Sequence, residues 1–227
     1  MLRKLITAAL AGGLSALSLA CAPTASASII ITNVQVPYYE GITLTGGSIG
    51  SESIGIAGQI VLTTNIGVLG TWCVDLFRNI TLGGSYTYTV GNLTNDGAMP
   101  TPNALSPTQI NQIGALAAYG NFLMSTSPTN AKSAAIQAAI WDVEYGTTAS
   151  GSAGFMTELA NILALLPTLS NPGGNELFSQ QNSQGVYVNQ GLYHPNTGVP
   201  EPSTIALLAL ALLSMFAFST MRRQSAN

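Results

Sequence analysis

Charged side chains are scarce in this chain, where lysine, arginine, aspartate and glutamate together make up 7% of the residues. Between positions 28 and 200 only Arg78 and Lys132 are basic, whereas eight residues are acidic, which gives this segment a formal net charge of −6. Proteins that bind nucleic acid need clustered basic side chains to neutralise phosphates. The composition therefore excludes a nucleic-acid partner.

Histidine is rarer still, since His194 is the only one in the chain. A single histidine near the end of the main segment leaves no Ser-His-Asp triad and no histidine cluster for zinc. The acidic residues are scattered along the sequence, which argues against the paired carboxylates of a glycosidase. We therefore expect a protein that is not an enzyme and has no catalytic residues, metal or cofactor. We also expect His194 to be solvated.

The N-terminus has the three parts of a secretory signal peptide. A basic pair precedes an uncharged apolar run over 5–20, and residues 25–27 read Ala-Ser-Ala, a small-x-small cleavage site. A buried N-terminal helix would not show this order of parts. A lipoprotein modified at Cys21 is a further alternative, but Leu19 stands one position too late for a lipobox. We predict that residues 1–27 are removed on export.

Cysteine is also nearly absent, because the chain contains only Cys21 and Cys73. Removal of the signal peptide leaves Cys73 alone in an oxidising, exported setting, so an intramolecular disulfide is excluded. A lone cysteine in a secreted protein indicates either a partner chain or a thiol with a special role.

A second apolar run lies near the C-terminus, where residues 203–221 contain no charge over 19 positions. A membrane-spanning helix needs about 20 residues, and the basic Arg222 and Arg223 that follow favour the cytoplasmic side. Because the N-terminus is exported, we predict a transmembrane helix that leaves the bulk of the chain outside. A buried core helix is the alternative, and the lack of a polar face argues against it.

Pro200, Glu201 and Pro202 stand just before this run, and the two prolines hold the glutamate in an extended, non-helical segment. The order Pro-Glu-Pro, apolar helix and arginine pair resembles the PEP-CTERM sorting signal. The resemblance implies sorting by exosortase, a membrane-embedded transpeptidase-like enzyme of Gram-negative bacteria that make extracellular polysaccharide. We assign residues 197–227 to this signal and residues 28–196 to the exported domain.

The exported domain has a β-rich first half followed by a helical segment. Runs of β-branched residues and period-2 alternation predict strands, and a capping box at Ser106 with proline at the first helical position predicts the first helix. The predicted strands cover 28–39, 41–50, 54–63, 67–77, 85–90 and 185–193, and the predicted helices cover 106–124, 131–145 and 154–166. The fold class is therefore α+β, a sandwich-like or barrel-like β domain with an inserted helical segment.

Two short motifs carry candidate chemistry. Trp72-Cys73-Val74-Asp75 lies in a predicted strand, so that Cys73 and Asp75 share a face. The second motif, 136–141, lies in a predicted helix, where Gln137 and Trp141 share a face. The pair resembles the two signature motifs of Cys–Gln thioester domains of surface adhesins, in the same order. The resemblance implies an internal thioester between Cys73 and Gln137, with Asp75 and Trp141 in supporting roles.

A thioester of this kind forms when the cysteine sulfur attacks the glutamine amide and ammonia leaves. The product is an electrophile that reacts once with an amine or hydroxyl on a partner, which is a protein or an extracellular polysaccharide. The alternative is a non-covalent, exopolysaccharide-associated matrix protein in which Cys73 is merely buried structure, as free cysteines often are. A hydrolase is the least favoured class. The sequence thus predicts an exported, membrane-anchored adhesion protein of the cell surface, biofilm or extracellular matrix.

Overall fold

The computed structural model describes residues 28–47, 49–98 and 102–196. The predicted signal peptide, transmembrane helix and sorting signal lie outside these ranges. Within them, no helix combines the length and the apolar character that crossing a membrane requires.

Nine strands and three α-helices make up the described part of the chain. The strands are β1 (Ser28–Gln35), β2 (Tyr39–Gly46), β3 (Gly50–Gly58), β4 (Ile60–Thr64), β5 (Gly67–Cys73), β6 (Tyr86–Gly91), β7 (Thr147–Ser150), β8 (Gly174–Ser179) and β9 (Leu192–Pro195). The helices are α1 (Pro107–Thr126), α2 (Asn130–Tyr145) and α3 (Ala153–Leu165), the last continued by a 3-10 turn over Leu166–Thr168.

Six of the strands close an antiparallel barrel in the order β1-β4-β5-β9-β8-β6. The other three form a small antiparallel sheet in the order β3-β2-β7. All three helices lie in the sequence between β6 and β8, so the predicted β-rich domain with an inserted helical segment is confirmed, and its β part is a barrel.

Local sequence explains the helix ends. Ser106 caps α1 through a complete capping box with Gln109, and Pro107 occupies the first helical position as predicted. Gly146 ends α2 with a left-handed φ of 68°, a conformation that glycine adopts without a steric penalty. The predicted helices are confirmed to within two residues at each end.

Helix α2 is the centre of the domain and packs against α1, α3 and all three strands of the small sheet. It is buried nearly all round, and five of its eleven buried side chains are small, namely Ser133, Ala134, Ala135, Ala138 and Ala139. Gly120 of α1 serves the same purpose, because a β-carbon there would overlap the rings and methyl groups of Trp72 and Ile136. Small residues therefore let α2 approach its neighbours closely and let α1 fit between α2 and the barrel.

Four of the predicted strands were wrong in their extent. The run 28–39 ends as a strand at Gln35, and the run 41–50 leaves β2 at Gly46. The run 54–63 is broken between β3 and β4, because the chain turns a corner at Gly58. A β-carbon at Gly58 would overlap Tyr38 O and lie 2.9 Å from Ser133 Oγ. The run 67–77 ends as a strand at Cys73, so Asp75 lies beyond the regular alternation of β5.

The predicted strand over 185–193 was also wrong, since only its last residues enter β9. Asn182 Oδ1 accepts hydrogen bonds from the backbone N–H groups of Gln184 and Val186 at 3.0 Å each and bends the chain into a turn. Gly185 completes this turn with a φ of 77°. Strands β7 and β8 were missed because both are short and their partners are remote in sequence.

Candidate functional site

One face of α2 meets the end of the barrel and carries three polar or aromatic side chains at i, i+4 and i+8, namely Ser133, Gln137 and Trp141. Ser133 Oγ accepts a 2.8 Å hydrogen bond from Gln59 N, at the corner between β3 and β4. Gln137 contacts β5 one turn further along. The buried Trp141 follows and borders a cleft.

The Gln137 side chain pairs with the backbone of Cys73. Gln137 Oε1 accepts from Cys73 N at 2.9 Å, and Gln137 Nε2 donates to Cys73 O at 2.8 Å. Both residues are almost fully buried. The structure therefore brings together the two residues singled out in the sequence, which are 64 positions apart.

The pairing fills a gap in the sheet. Strand β4 begins at Ile60, opposite Thr71, and so supplies no partner for Cys73 two residues further along β5. On the other side, Val74 N donates to Gly191 O at 3.1 Å, next to β9. Because backbone groups of alternate residues face opposite neighbours, the polar groups of Cys73 face the vacant side. The Gln137 amide satisfies both and takes the place of a strand.

The Cys73 side chain lies on the barrel-facing side of β5, since its cross-strand partner Leu192 is fully buried and pairs in turn with the buried Leu177. Gln190 Nε2 lies 2.7 Å from Cys73 Sγ and also contacts Asp75 O at 3.3 Å. The Asp75 backbone adds contacts of 3.3 and 3.4 Å to the sulfur. The thiol is thus held by a second amide and by the chain that follows it.

Sequence reasoning missed Gln190. It is 117 positions from Cys73 and belongs to the irregular segment before β9, with no spacing relative to either motif. Tyr88 Oη, inside the barrel, donates to Gln190 O at 2.9 Å and fixes this segment. The rings of Tyr86 and Tyr88 pack edge to face with their centroids 6.2 Å apart.

Burial raises the pKa of the Cys73 thiol well above its usual range. The backbone of Asp75 lowers that pKa in part, while the negative charges of Asp75 and Glu144 raise it further and the Trp141 indole lowers it slightly. Trp141 Nε1 nevertheless meets no acceptor with full hydrogen-bond geometry. Because burial dominates, Cys73 is a protonated thiol at neutral pH.

The Asp75 carboxylate faces away from Gln137. It forms an ion pair with Arg78 and accepts from Phe77 N at 3.0 Å and Gly191 N at 3.5 Å. Burial raises the pKa of Asp75 although Arg78 opposes the rise. Asp75 thus contacts the sulfur through its backbone, while its carboxylate is held by Arg78 and backbone N–H groups.

Four acidic residues that are scattered in the sequence are buried near one another in the fold, namely Asp75, Asp96, Glu144 and Glu176. Glu144 and Glu176 are buried, and three of their carboxylate oxygens have no hydrogen-bond partner. Burial raises the pKa of Glu144 well above its usual range, with Glu176, Asp75 and Asp96 adding to the rise. Burial likewise raises the pKa of Glu176, to about 9. Asp96 is satisfied by Asn103 and by backbone N–H groups.

His194 is buried, which corrects the expectation that it is solvated. Its Nδ1 lies 2.9 Å from Gly70 O, and its Nε2 has no partner. The reason is that β9 reaches past the predicted strand end and carries His194 into the barrel wall. In the described ranges no three His, Cys, Asp or Glu side chains are grouped as metal ligands.

A cleft of about 590 Å³ opens onto the thiol–amide pair. Cys73, Gln137, Trp141 and Gln190 form its floor. The walls come from β3 and from the segment after β5, with Val36 and Ile60 at the barrel end. The wall residues are Glu52, Ser53, Ile54, Gly55, Ile56 and Gly58 on one side and Leu76, Phe77, Asn79, Ile80 and Leu82 on the other. The pair is therefore buried but lies at the bottom of a space that a ligand can enter.

Residues 198–223 match the family described as the PEP-CTERM protein-sorting motif. The match coincides with the segment that holds Pro200, Glu201, Pro202, Arg222 and Arg223. The chain thus carries the signal of an exported, membrane-sorted protein of Gram-negative bacteria, with exosortase as its processing partner. Comparison with curated proteins and with solved structures finds no match to the chain.

Proposed function

We propose that this exported protein attaches its barrel domain covalently to a partner through an internal thioester between Cys73 and Gln137. One observation carries the proposal: the Gln137 amide is held by two hydrogen bonds against the residue that bears the lone thiol. A second supports it, since both residues form the floor of one cleft.

The proposed reaction needs no co-reactant. Cys73 Sγ attacks the side-chain carbonyl carbon of Gln137, the carbon–nitrogen bond breaks, and the thiol proton leaves with the nitrogen as ammonia. Negative charge that develops on Gln137 Oε1 meets the Cys73 N–H that already donates to it, an oxyanion-hole arrangement. Cys73 O, which accepts from Nε2, is placed to bind the departing nitrogen.

The burial of Cys73 acts in two directions. It raises the pKa of the thiol, so the attacking sulfur keeps its proton until the nitrogen departs and thioester formation is slow. It also excludes water from the product, which preserves the thioester until a partner arrives. A slow step is acceptable because the reaction happens once per molecule, and the protein is then not an enzyme.

In the second half of the reaction an amine or hydroxyl of the partner attacks the same carbon. An amide or ester with Gln137 forms, and Cys73 regains its proton as a free thiol. The partner is a surface protein or an extracellular polysaccharide, and the attachment serves adhesion or matrix assembly in a biofilm.

The sorting signal sets where this attachment takes place. In this proposal the segment 205–218 holds the exported chain in the membrane, and exosortase then acts at Pro200, Glu201 and Pro202. The barrel domain stays at the cell surface or is released into the extracellular matrix.

A second candidate is a non-covalent matrix protein in which Cys73 and Gln137 are structural. The observation that favours it is the same pair of hydrogen bonds, because they already satisfy a gap at the end of β5. In addition, the amide nitrogen nearest the sulfur is that of Gln190.

Methylamine separates the two candidates. The exported protein is treated with methylamine and digested, and the peptide that contains Gln137 is analysed by mass spectrometry. The thioester predicts methylamide at Gln137 and a newly titratable thiol at Cys73, both absent from Cys73→Ser. Unmodified Gln137 would favour the matrix protein. Methylamide at Gln190 instead would show that Gln190, and not Gln137, forms the thioester with Cys73.

A further inference from the structure

The outer edge of β3 is unpaired in the part of the chain that the structure describes. Strand β3 pairs with β2 along one side, and the sheet order β3-β2-β7 places it at the end of the sheet. It is nine residues long, and its residues 50–53, Gly55 and Ile56 are exposed. Long exposed edges are templates for another strand, and proteins commonly cover or shorten them.

This free edge borders the cleft above the thiol–amide pair. The five consecutive residues 52–56 line the cleft, although side chains of successive residues in a strand point to opposite faces. A continuous run of lining residues therefore means that the edge itself, with its backbone N–H and C=O groups, faces the space. At Gly55 an added β-carbon would meet nothing within 4 Å, so the face of the strand at this position is open as well.

The cleft also selects by charge and polarity. Among its described lining residues Glu52 is the only charged one, and the domain as a whole is acidic. Exposed apolar side chains on both walls, Ile56 on β3 and Phe77 and Leu82 opposite, suit the alternating side chains of a peptide. A basic, partly apolar ligand fits this lining better than a neutral or acidic one.

We propose that the partner is an extended polypeptide segment with a positive charge, which pairs with the free edge of β3 as a fourth strand of the small sheet. Strand addition satisfies the edge backbone groups, and neighbouring side-chain pockets supply specificity. Five residues of strand cover roughly 16 Å, and a segment so placed runs past Gln137 at the floor. The inference rests on the proposed function for the covalent step, because it names the partner of that site.

Docking is tested without the thioester, on the exported protein carrying Cys73→Ser. The probe is a fluorescent, end-capped five-residue peptide with a central lysine between alternating valines and threonines. Two variants of the peptide carry N-methyl groups on backbone amides, one variant on one edge of the extended chain and the second on the opposite edge. Strand addition predicts that one N-methylated variant binds like the parent peptide and the other about tenfold or more weakly, since only one edge pairs with β3.

Charge is tested in the same assay. Glu52→Gln is expected to weaken binding of the lysine peptide about threefold to tenfold, whereas the control Glu158→Gln on α3 leaves it unchanged. Any of three results would overturn the inference. They are equal binding by both N-methylated variants, no binding of the parent peptide at millimolar concentration, and tighter binding of the neutral oligosaccharide cellohexaose. These outcomes are independent of the mass and methylamine results on the wild type, so failure of the thioester and failure of the docking surface are distinguishable.

Discussion

The side-chain amide of Gln137 lies against the backbone of Cys73 as the next strand of a sheet would, with one hydrogen bond at each end, of 2.9 and 2.8 Å. A side chain on helix α2 thereby takes the place of a neighbouring β-strand. The same contact holds the Gln137 carbonyl carbon beside a buried cysteine, so this pair of residues has both a structural role and a proposed chemical one.

The first prediction concerns the stability that this pair contributes. Gln137 keeps its amide in a Cys73→Ser background, and there Gln137→Ala leaves a buried N–H and C=O of residue 73 without partners, so we expect the free energy of unfolding to fall by about 2–4 kcal/mol. Urea unfolding measures it, with Gln184→Ala, an exposed glutamine, as the control. A loss no larger than that of the control would mean that water replaces the amide without cost.

The second prediction concerns the close packing of α1 on the barrel. Gly120→Ala forces a methyl group into the Trp72 ring and Ile136 and should cost about 1–3 kcal/mol. Gly154→Ala is the matched helical control, because its β-carbon would lie 3.9 Å from its nearest neighbours. Alanine is the better helix former, so this control should be neutral or stabilise by up to about 1 kcal/mol. Equal effects at both sites would contradict the packing.

The third prediction is a pH dependence set by Glu176. Burial raises its pKa from 4.5 to about 9, so between these values the folded protein keeps a proton that the unfolded chain releases. The free energy of unfolding therefore falls as pH rises through this window, by about 1.4 kcal/mol per pH unit for this group. In Glu176→Gln the free energy of unfolding should fall less steeply with pH, by about 1.4 kcal/mol per pH unit. Part of the fall should remain, because burial also raises the pKa values of Asp75 and Glu144. Urea titrations between pH 5 and 9 measure both slopes, and identical slopes would show that Glu176 ionises normally.

The fourth prediction concerns the sorting motif. We expect exosortase to recognise the Pro-Glu-Pro segment through Glu201, so Glu201→Ala should leave the chain unprocessed in the membrane fraction. Immunoblots of fractionated cells compare it with Ser203→Ala, which we expect to be processed normally. Processing of Glu201→Ala to the same extent as wild type would remove Glu201 from the recognition site.

Much of the helical segment was predictable because its signals are local. The capping box at Ser106, Pro107 and the left-handed Gly146 each act within a few residues. Strand ends were less predictable, since the corner at Gly58 depends on Tyr38 and Ser133, which are distant in sequence.

The residues of the candidate site also differ in how far the sequence predicted them. Cys73 and Gln137 were found through their motifs and their order. Gln190 and the burial of Glu176 and His194 were not, because β8, β9 and the segment between them bring these residues in from the far end of the domain without any pattern of spacing.

The intact mass of the exported, purified protein shows whether Cys73 and Gln137 form a thioester. The proposed bond predicts that wild type is lighter than its calculated mass by one ammonia. Cys73→Ser and Gln137→Ala should each have their full calculated mass, and Gln190→Ala should keep the deficit. A wild-type mass equal to the calculated one, with Cys73 titrating as a free thiol once the protein is unfolded, would contradict the thioester.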